Sequence, residues 1–89
     1  MARRPRRERE TMDYLAAARR FIRRAGERVA DADEFELAEL VALRAELESA
    51  IVTAVHGQRS IGRSWAYVGA ALGMIRQAAH ERYGERVAS

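Results

Sequence analysis

The sequence has no cysteine, no lysine and only one proline, and no apolar run approaches the ~20 residues that a membrane-spanning helix needs. The lack of cysteine excludes disulfides, thiolate metal sites and cysteine nucleophiles, and it fits the cytoplasmic location that we expect. No apolar signal-peptide core follows the arginine-rich N-terminus, so we expect no export. A chain of 89 residues predicts one small domain, whose limited core favours stabilisation by a partner.

All 16 basic residues are arginines, and they are unevenly distributed along a chain of net charge +3. Residues 1–28 hold ten arginines and four acidic residues, residues 29–56 hold one and seven, and residues 57–89 hold five and two. Codon bias is the simpler explanation for the absence of lysine. The order of the charges, with two basic segments around an acidic one, predicts that the ends of the chain face nucleic acid.

Residues 1–10 are predicted to be a flexible basic arm, because they have too little apolar surface to offset the entropy lost on ordering. Such an arm can enter an AT-rich minor groove, or it can be a disordered tail that adds only non-specific phosphate affinity. The sequence leaves both interpretations open. The candidate DNA contacts in the arm are Arg3, Arg4, Arg6 and Arg7.

Residues 11–57 are predicted to form a long antiparallel helical hairpin that supports the rest of the chain or dimerises. Its first helix should begin at Thr11 as N-cap, and its second should be capped by Asp31 or Asp33 and stopped by Gly57 as C-cap. Both helices carry apolar residues at helical spacing, with arginine on the first and acidic residues on the second. A two-helix hairpin cannot bury so wide an apolar face, so part of that face is a candidate dimer interface.

Residues 58–89 are predicted to be a helix-turn-helix DNA-binding unit, with the motif at residues 64–84. Gly69 supplies the small residue needed where two helices cross closely, and Gly73 supplies the left-handed turn. Ser64 should cap the first helix of the pair. The residues expected to point inward are Trp65, Val68, Leu72, Met74, Ala78, Ala79 and Tyr83. The second half of the preceding long helix is expected to complete a three-helix core.

This stretch resembles the helix-turn-helix of many small actinobacterial and phage regulators. In those proteins a Ser-Trp-Ala, an Ile or Val before Gly, an Ala-Leu-Gly turn and an Arg-Gln-Ala-Ala recognition helix recur. Its combination with a helical hairpin is similar to actinobacterial mobile-element proteins. Such motifs usually have Ser or Thr where this chain has Ile75, so a cap worth ~0.5–2 kcal/mol is lost. Ile75 either packs locally or presses on a thymine methyl group.

The resemblance implies that the outward face of the second helix contacts bases, since the first residues of a recognition helix meet base edges. Arg76 is then the candidate for guanine and Gln77 for adenine, whereas His80 could reach a base or a phosphate. The whole predicted face consists of Ile75, Arg76, Gln77, His80 and Glu81. The candidate phosphate contacts, which position the protein without specifying sequence, are Arg59, Arg63 and Arg82.

The predicted function is therefore sequence-specific binding of double-stranded DNA by a homodimer that acts as a transcriptional regulator, such as a repressor, or as a mobile-element control protein. Neither histidine lies near other ligands at a metal-site spacing, and no nucleophile–base arrangement is present, so we expect no metal, no cofactor and no enzyme activity. One alternative is a protein-interaction module that docks a basic partner on the acidic helix. Another is an architectural nucleic-acid binder that acts through the arm.

Overall fold

The computed structural model describes residues 6–84, which form helices and contain no strand. The helices are α1 (Arg6–Val29), α2 (Glu34–Ser60), α3 (Trp65–Leu72) and α4 (Arg76–Tyr83). The predicted all-helical class is confirmed for the described residues, and two long helices followed by two short ones are compatible with the predicted hairpin and C-terminal helix pair. None of these helices is both long enough and apolar enough to span a membrane.

The chain divides into two compact units, residues 1–42 and residues 43–89, and the boundary falls inside α2. The second unit therefore contains the C-terminal part of α2 together with α3 and α4.

The first helix begins earlier than the sequence predicted. Thr11 is not an N-cap, because it lies inside α1 and its hydroxyl donates a hydrogen bond to the Arg7 carbonyl at 3.0 Å. Residues 6–10 are likewise helical rather than part of a flexible arm. They are all arginine or glutamate, which are good helix formers, and Arg6 pairs with Glu10 one turn later at 3.0 Å. Arg3 and Arg4 lie outside the described residues.

Asp33 caps α2, which decides between the two predicted candidates, Asp31 and Asp33. Its Oδ1 accepts hydrogen bonds from the backbone N–H groups of Phe35 and Glu36 at 3.1 and 3.0 Å. Two of the N–H groups that a helix start leaves without a partner are satisfied in this way. Near the hairpin loop Val29 and Leu40 are half-buried, but no described residue of the first unit is fully buried.

The end of α2 corrects a second prediction, because Gly57 lies inside the helix instead of stopping it. The helix ends one turn later, where Gly62 adopts a left-handed φ of +91°. The Gly62 N–H donates to the Arg59 carbonyl at 2.9 Å and the Arg63 N–H donates to the Gln58 carbonyl at 3.1 Å. This pair of bonds is a Schellman motif, which satisfies the last carbonyls of the helix. Gly62, the glycine that adopts the left-handed conformation, therefore sets the C-terminal boundary of α2.

The core of the second unit joins its three helices. Val55 from α2, Val68 from α3 and Tyr83 from α4 are buried against one another. The Tyr83 hydroxyl donates to the Glu48 carboxylate at 3.2 Å, so its polar end has a partner. The partly buried residues around this cluster are Ile51, Val52, Trp65, Leu72 and Met74. The prediction that α2 completes a three-helix core is confirmed.

Candidate nucleic-acid interface

Ser64 fixes the start of α3. Its backbone is extended, with φ −72° and ψ 162°, and its hydroxyl oxygen accepts the Tyr67 N–H at 3.1 Å. This geometry is that of an N-cap, as the sequence predicted. The cap makes Trp65 the first residue of the helix and so fixes the place from which its indole extends.

The turn between α3 and α4 depends on two glycines. Gly73 has a left-handed φ of +70°, its N–H donates to the Ala70 carbonyl, and the Met74 N–H donates to the Gly69 carbonyl at 2.8 Å. A Cβ atom added to Gly69 would lie 2.8 Å from the carbonyl oxygen of Met74. Both predicted glycine roles are confirmed, and the close approach at Gly69 is to the turn just before α4.

Ile75 occupies the N-cap position of α4 and supplies no side-chain hydrogen bond to the helix. The predicted loss of a cap is therefore observed. The Ile75 side chain is 73% exposed, so local packing does not cover it. On the inward side of α4, Ala79 is completely buried and Tyr83 is 2% exposed, as predicted. These two residues hold the helix against the core and leave its opposite face open.

Four polar residues of α4 are exposed: Arg76, Gln77, His80 and Glu81. The Gln77 amide nitrogen donates one hydrogen bond to the Glu81 carboxylate at 3.2 Å, across one helical turn. The second N–H and the amide oxygen of Gln77 remain available for other partners. The polar residues of the predicted outward face are therefore accessible to a ligand.

Trp65 connects this surface with the end of α2. The Arg59 guanidinium lies 4.8 Å from the centre of the Trp65 ring, and its Nη1 donates to the Arg63 carbonyl at 2.9 Å. The His80 ring meets the indole edge to face, with 5.3 Å between the ring centres. A cleft of about 520 Å³ results, lined by Arg59, Ser64, Trp65, Arg76, Gln77 and His80. The structure therefore brings Arg59 together with three residues of the predicted recognition helix.

Arg63 is held beside this cleft by residues that the sequence analysis did not single out. Its Nη1 donates to the Gln58 amide oxygen at 2.8 Å and to the Tyr67 hydroxyl at 2.6 Å. The guanidinium also lies 4.6 Å from the centre of the Tyr67 ring. The separation of only four residues between Arg63 and Tyr67 was the available signal, although Arg63 precedes the N-cap of α3.

Arg82 occupies a different environment from Arg59 and Arg63. Its Nη2 lies 3.7 Å from the carboxylate of Glu48, which also accepts the Tyr83 hydroxyl. Arg82 does not line the cleft, and its role as a phosphate contact stays a prediction. No local pattern could have identified Glu48, because it lies 35 residues from Tyr83 along the chain.

Arg6 and Arg7, the described candidates of the arm, lie in the first turn of α1 in the other unit. Comparison with protein-family models, with curated proteins and with solved structures found no match. The chemistry of the cleft and of α4 is therefore the basis for a functional conclusion.

Proposed function

We propose that the protein binds double-stranded DNA sequence-specifically and acts as a transcriptional regulator or a mobile-element control protein. The observation that carries this proposal is the cleft at the start of α4, where Arg76, Gln77 and His80 lie exposed beside Arg59. Residues 57–84 contain four arginines and one acidic residue, so this part of the chain attracts phosphate.

Base recognition is assigned to the first residues of α4, which is placed in the major groove. Arg76 and Gln77 are the first two residues of the helix, the position from which a recognition helix contacts base edges. An arginine can donate two hydrogen bonds to guanine, and a glutamine amide can both donate to and accept from adenine. The hydrogen bond from Gln77 to Glu81 leaves one donor and the acceptor of that amide for adenine.

Phosphate binding is assigned to Arg59 and Arg63. Both side chains are already held, the first by Trp65 and a backbone carbonyl, the second by Tyr67 and Gln58. A side chain that is ordered before binding loses less conformational entropy when it meets a ligand. These two arginines would therefore set the position of the protein on the backbone, and α4 would supply the sequence preference.

We further propose that two copies bind a two-fold-related site in the cytoplasm, at the nucleoid. A symmetric pair of recognition helices fits half-sites separated by one turn of DNA, about 34 Å. The expected target is then an inverted repeat, with guanine and adenine at the positions that face Arg76 and Gln77.

The test starts with selection of bound duplexes from random DNA by the full chain. Affinities for the enriched sequence and for single-base variants are then measured for wild type, Arg76→Ala, Gln77→Ala and the double variant. Each single change should remove about 1–3 kcal/mol of discrimination at one base position. Arg59→Ala should instead weaken all sequences alike and lower the salt slope by about one.

Arg44→Ala is the matched control, because Arg44 is an exposed arginine of the same unit that lies about 22 Å along α2 from Arg59. It should leave the sequence preference unchanged. An unchanged preference in the folded double variant would overturn the assignment of α4. A selection that enriches nothing, together with salt-sensitive capture of a basic protein, would favour docking on the acidic helix instead.

A further inference from the structure

The first unit has a large apolar surface and no core of its own. No described residue between 6 and 42 is buried, although both of its helical segments carry large apolar side chains. Leu15, Ala18, Ile22, Ala25 and Val29 follow one another along α1 at alternating spacings of three and four residues. This is the spacing of the seam between packed helices. The large side chains on this surface that remain exposed are Tyr14, Leu15, Phe21, Ile22, Leu37 and Val41.

The extent of this surface matches that of a stable protein interface. Tyr14 and Phe21 are 77% and 70% exposed, and Leu15, Ile22, Leu37 and Val41 are each about half exposed. If each of the six side chains exposes about 100 Å² of apolar area, the surface exposes roughly 600 Å² in all. The largest apolar patch on a typical monomeric protein is roughly 300–600 Å² and is often functional, so this surface lies at the upper end of that range. A homodimer interface is about 65% apolar, so 600 Å² corresponds to roughly 900 Å² per copy, close to a standard interface.

The two helical segments that carry the apolar surface differ in charge, and together they complement a second copy of the chain. Residues 19–28 of α1 contain five arginines and one acidic residue, whereas residues 31–39 contain five acidic residues and no basic one. In a two-fold interface a patch meets its own copy, so a basic block on one chain can lie against the acidic block of the other. DNA would be repelled by the acidic block, and a partner of a single charge sign would complement only half of the surface.

We propose that this surface of α1 and the first part of α2 is a homodimer interface in which the basic block of each copy faces the acidic block of the other. The two hairpins then form a four-helix bundle around the apolar side chains. The inference rests on the two-copy part of the proposed function and names the surface that joins the copies.

The first experiment measures the mass of the full chain without DNA by analytical ultracentrifugation, over micromolar to submillimolar concentrations. Wild type should sediment as two copies. Ile22→Glu should weaken the dimer at least about 100-fold, because an unpaired carboxylate would have to be buried. Ala16→Glu places the same side chain at an exposed position on the side of α1 opposite the centre of the apolar surface, away from the arginines at its edges, Arg19 and Arg28, and it should leave the dimer intact. A single-copy mass for wild type, or equal loss in both variants, would overturn the proposal.

A charge exchange keeps the proposal falsifiable if Ile22→Glu fails to fold. In one variant the arginines at the edges of the apolar surface, Arg19 and Arg28, become glutamate, and in the other Glu34 and Glu36 become arginine. Each alone should sediment mainly as one copy, and an equimolar mixture should form a one-to-one pair. A mixture that forms no pair, or variants that each dimerise like wild type, would overturn the charge pairing.

The outcome for DNA binding is independent of these masses. A DNA-free dimer without sequence preference would reject the proposed function and keep the interface. A single copy that binds its selected site specifically would reject the interface and the two-copy arrangement, and would keep the sequence-specific DNA binding.

Discussion

Gly69 offers the sharpest test of how α3 approaches the turn before α4. A Cβ at this position would lie 2.8 Å from the Met74 carbonyl oxygen and 3.4 Å from the carbonyl carbon and oxygen of Ile75. These are backbone atoms, which cannot rotate away, so Gly69→Ala must displace the turn at an expected cost of about 1–3 kcal/mol. Alanine also stabilises a helix interior by about 1 kcal/mol relative to glycine, which leaves a net loss of roughly 0–2 kcal/mol.

Gly57 supplies the matched control, because it also lies inside a helix but a Cβ added there would have no atom within 4 Å. Gly57→Ala should therefore raise the unfolding free energy by up to about 1 kcal/mol. The two variants should differ by about 1–3 kcal/mol, or at least ~4 °C in Tm for a chain of this size. Thermal unfolding followed by circular dichroism, at equal protein concentration, measures the difference. A Gly69→Ala variant as stable as Gly57→Ala would refute the close approach.

The remaining predictions concern helix ends and the buried tyrosine. Ser64→Ala removes the α3 cap and should lower the unfolding free energy by about 1 kcal/mol, whereas Ile75→Ser adds a cap to α4 and should raise it by a similar amount. Urea unfolding of both variants measures the two changes, and equal values for the two would contradict the cap assignments. Tyr83→Phe removes the hydrogen bond to Glu48 and should cost about 0.5–1.5 kcal/mol with an unchanged urea m-value. A Tyr83→Phe variant as stable as wild type would show that this bond contributes nothing.

Local chemistry explains which parts of the fold could be predicted from the sequence. Ser64, Asp33 and Gly73 each act through hydrogen bonds or dihedral angles within a few residues, and the structure has all three in their predicted roles. Gly57 and Thr11 were assigned from residue preference alone. The prediction for Gly57 was wrong because a second glycine, five residues later, adopts the left-handed conformation. The prediction for Thr11 was wrong because the arginines and glutamates before it are already helical.

Helical periodicity made part of the candidate site on α4 predictable. With Ala79 and Tyr83 inward, a period of 3.6 residues places Gln77 and Glu81 on the open side of α4 and His80 at its edge. Arg76 shares the spacing of Ala79 and Tyr83, and it is exposed as the first residue of the helix. The contact of Arg59 with Trp65 was not predictable, because it joins the end of α2 to the start of α3. The stacking of Arg59 on Trp65 depends on how the loop between those helices turns.

The arginines around the cleft are held to different degrees, and this difference suits a division of roles in the proposed function. Arg59 and Arg63 are fixed by rings and hydrogen bonds before any ligand arrives. Arg76 makes no hydrogen bond or ion pair with the described residues, so its side chain can adjust to the base edge that it meets. Ordering it costs about 0.5–1.5 kcal/mol, which a mismatched base would not recover. Arg59 and Arg63 would then align the protein on the phosphates, and Arg76 would make the binding affinity depend on the DNA sequence.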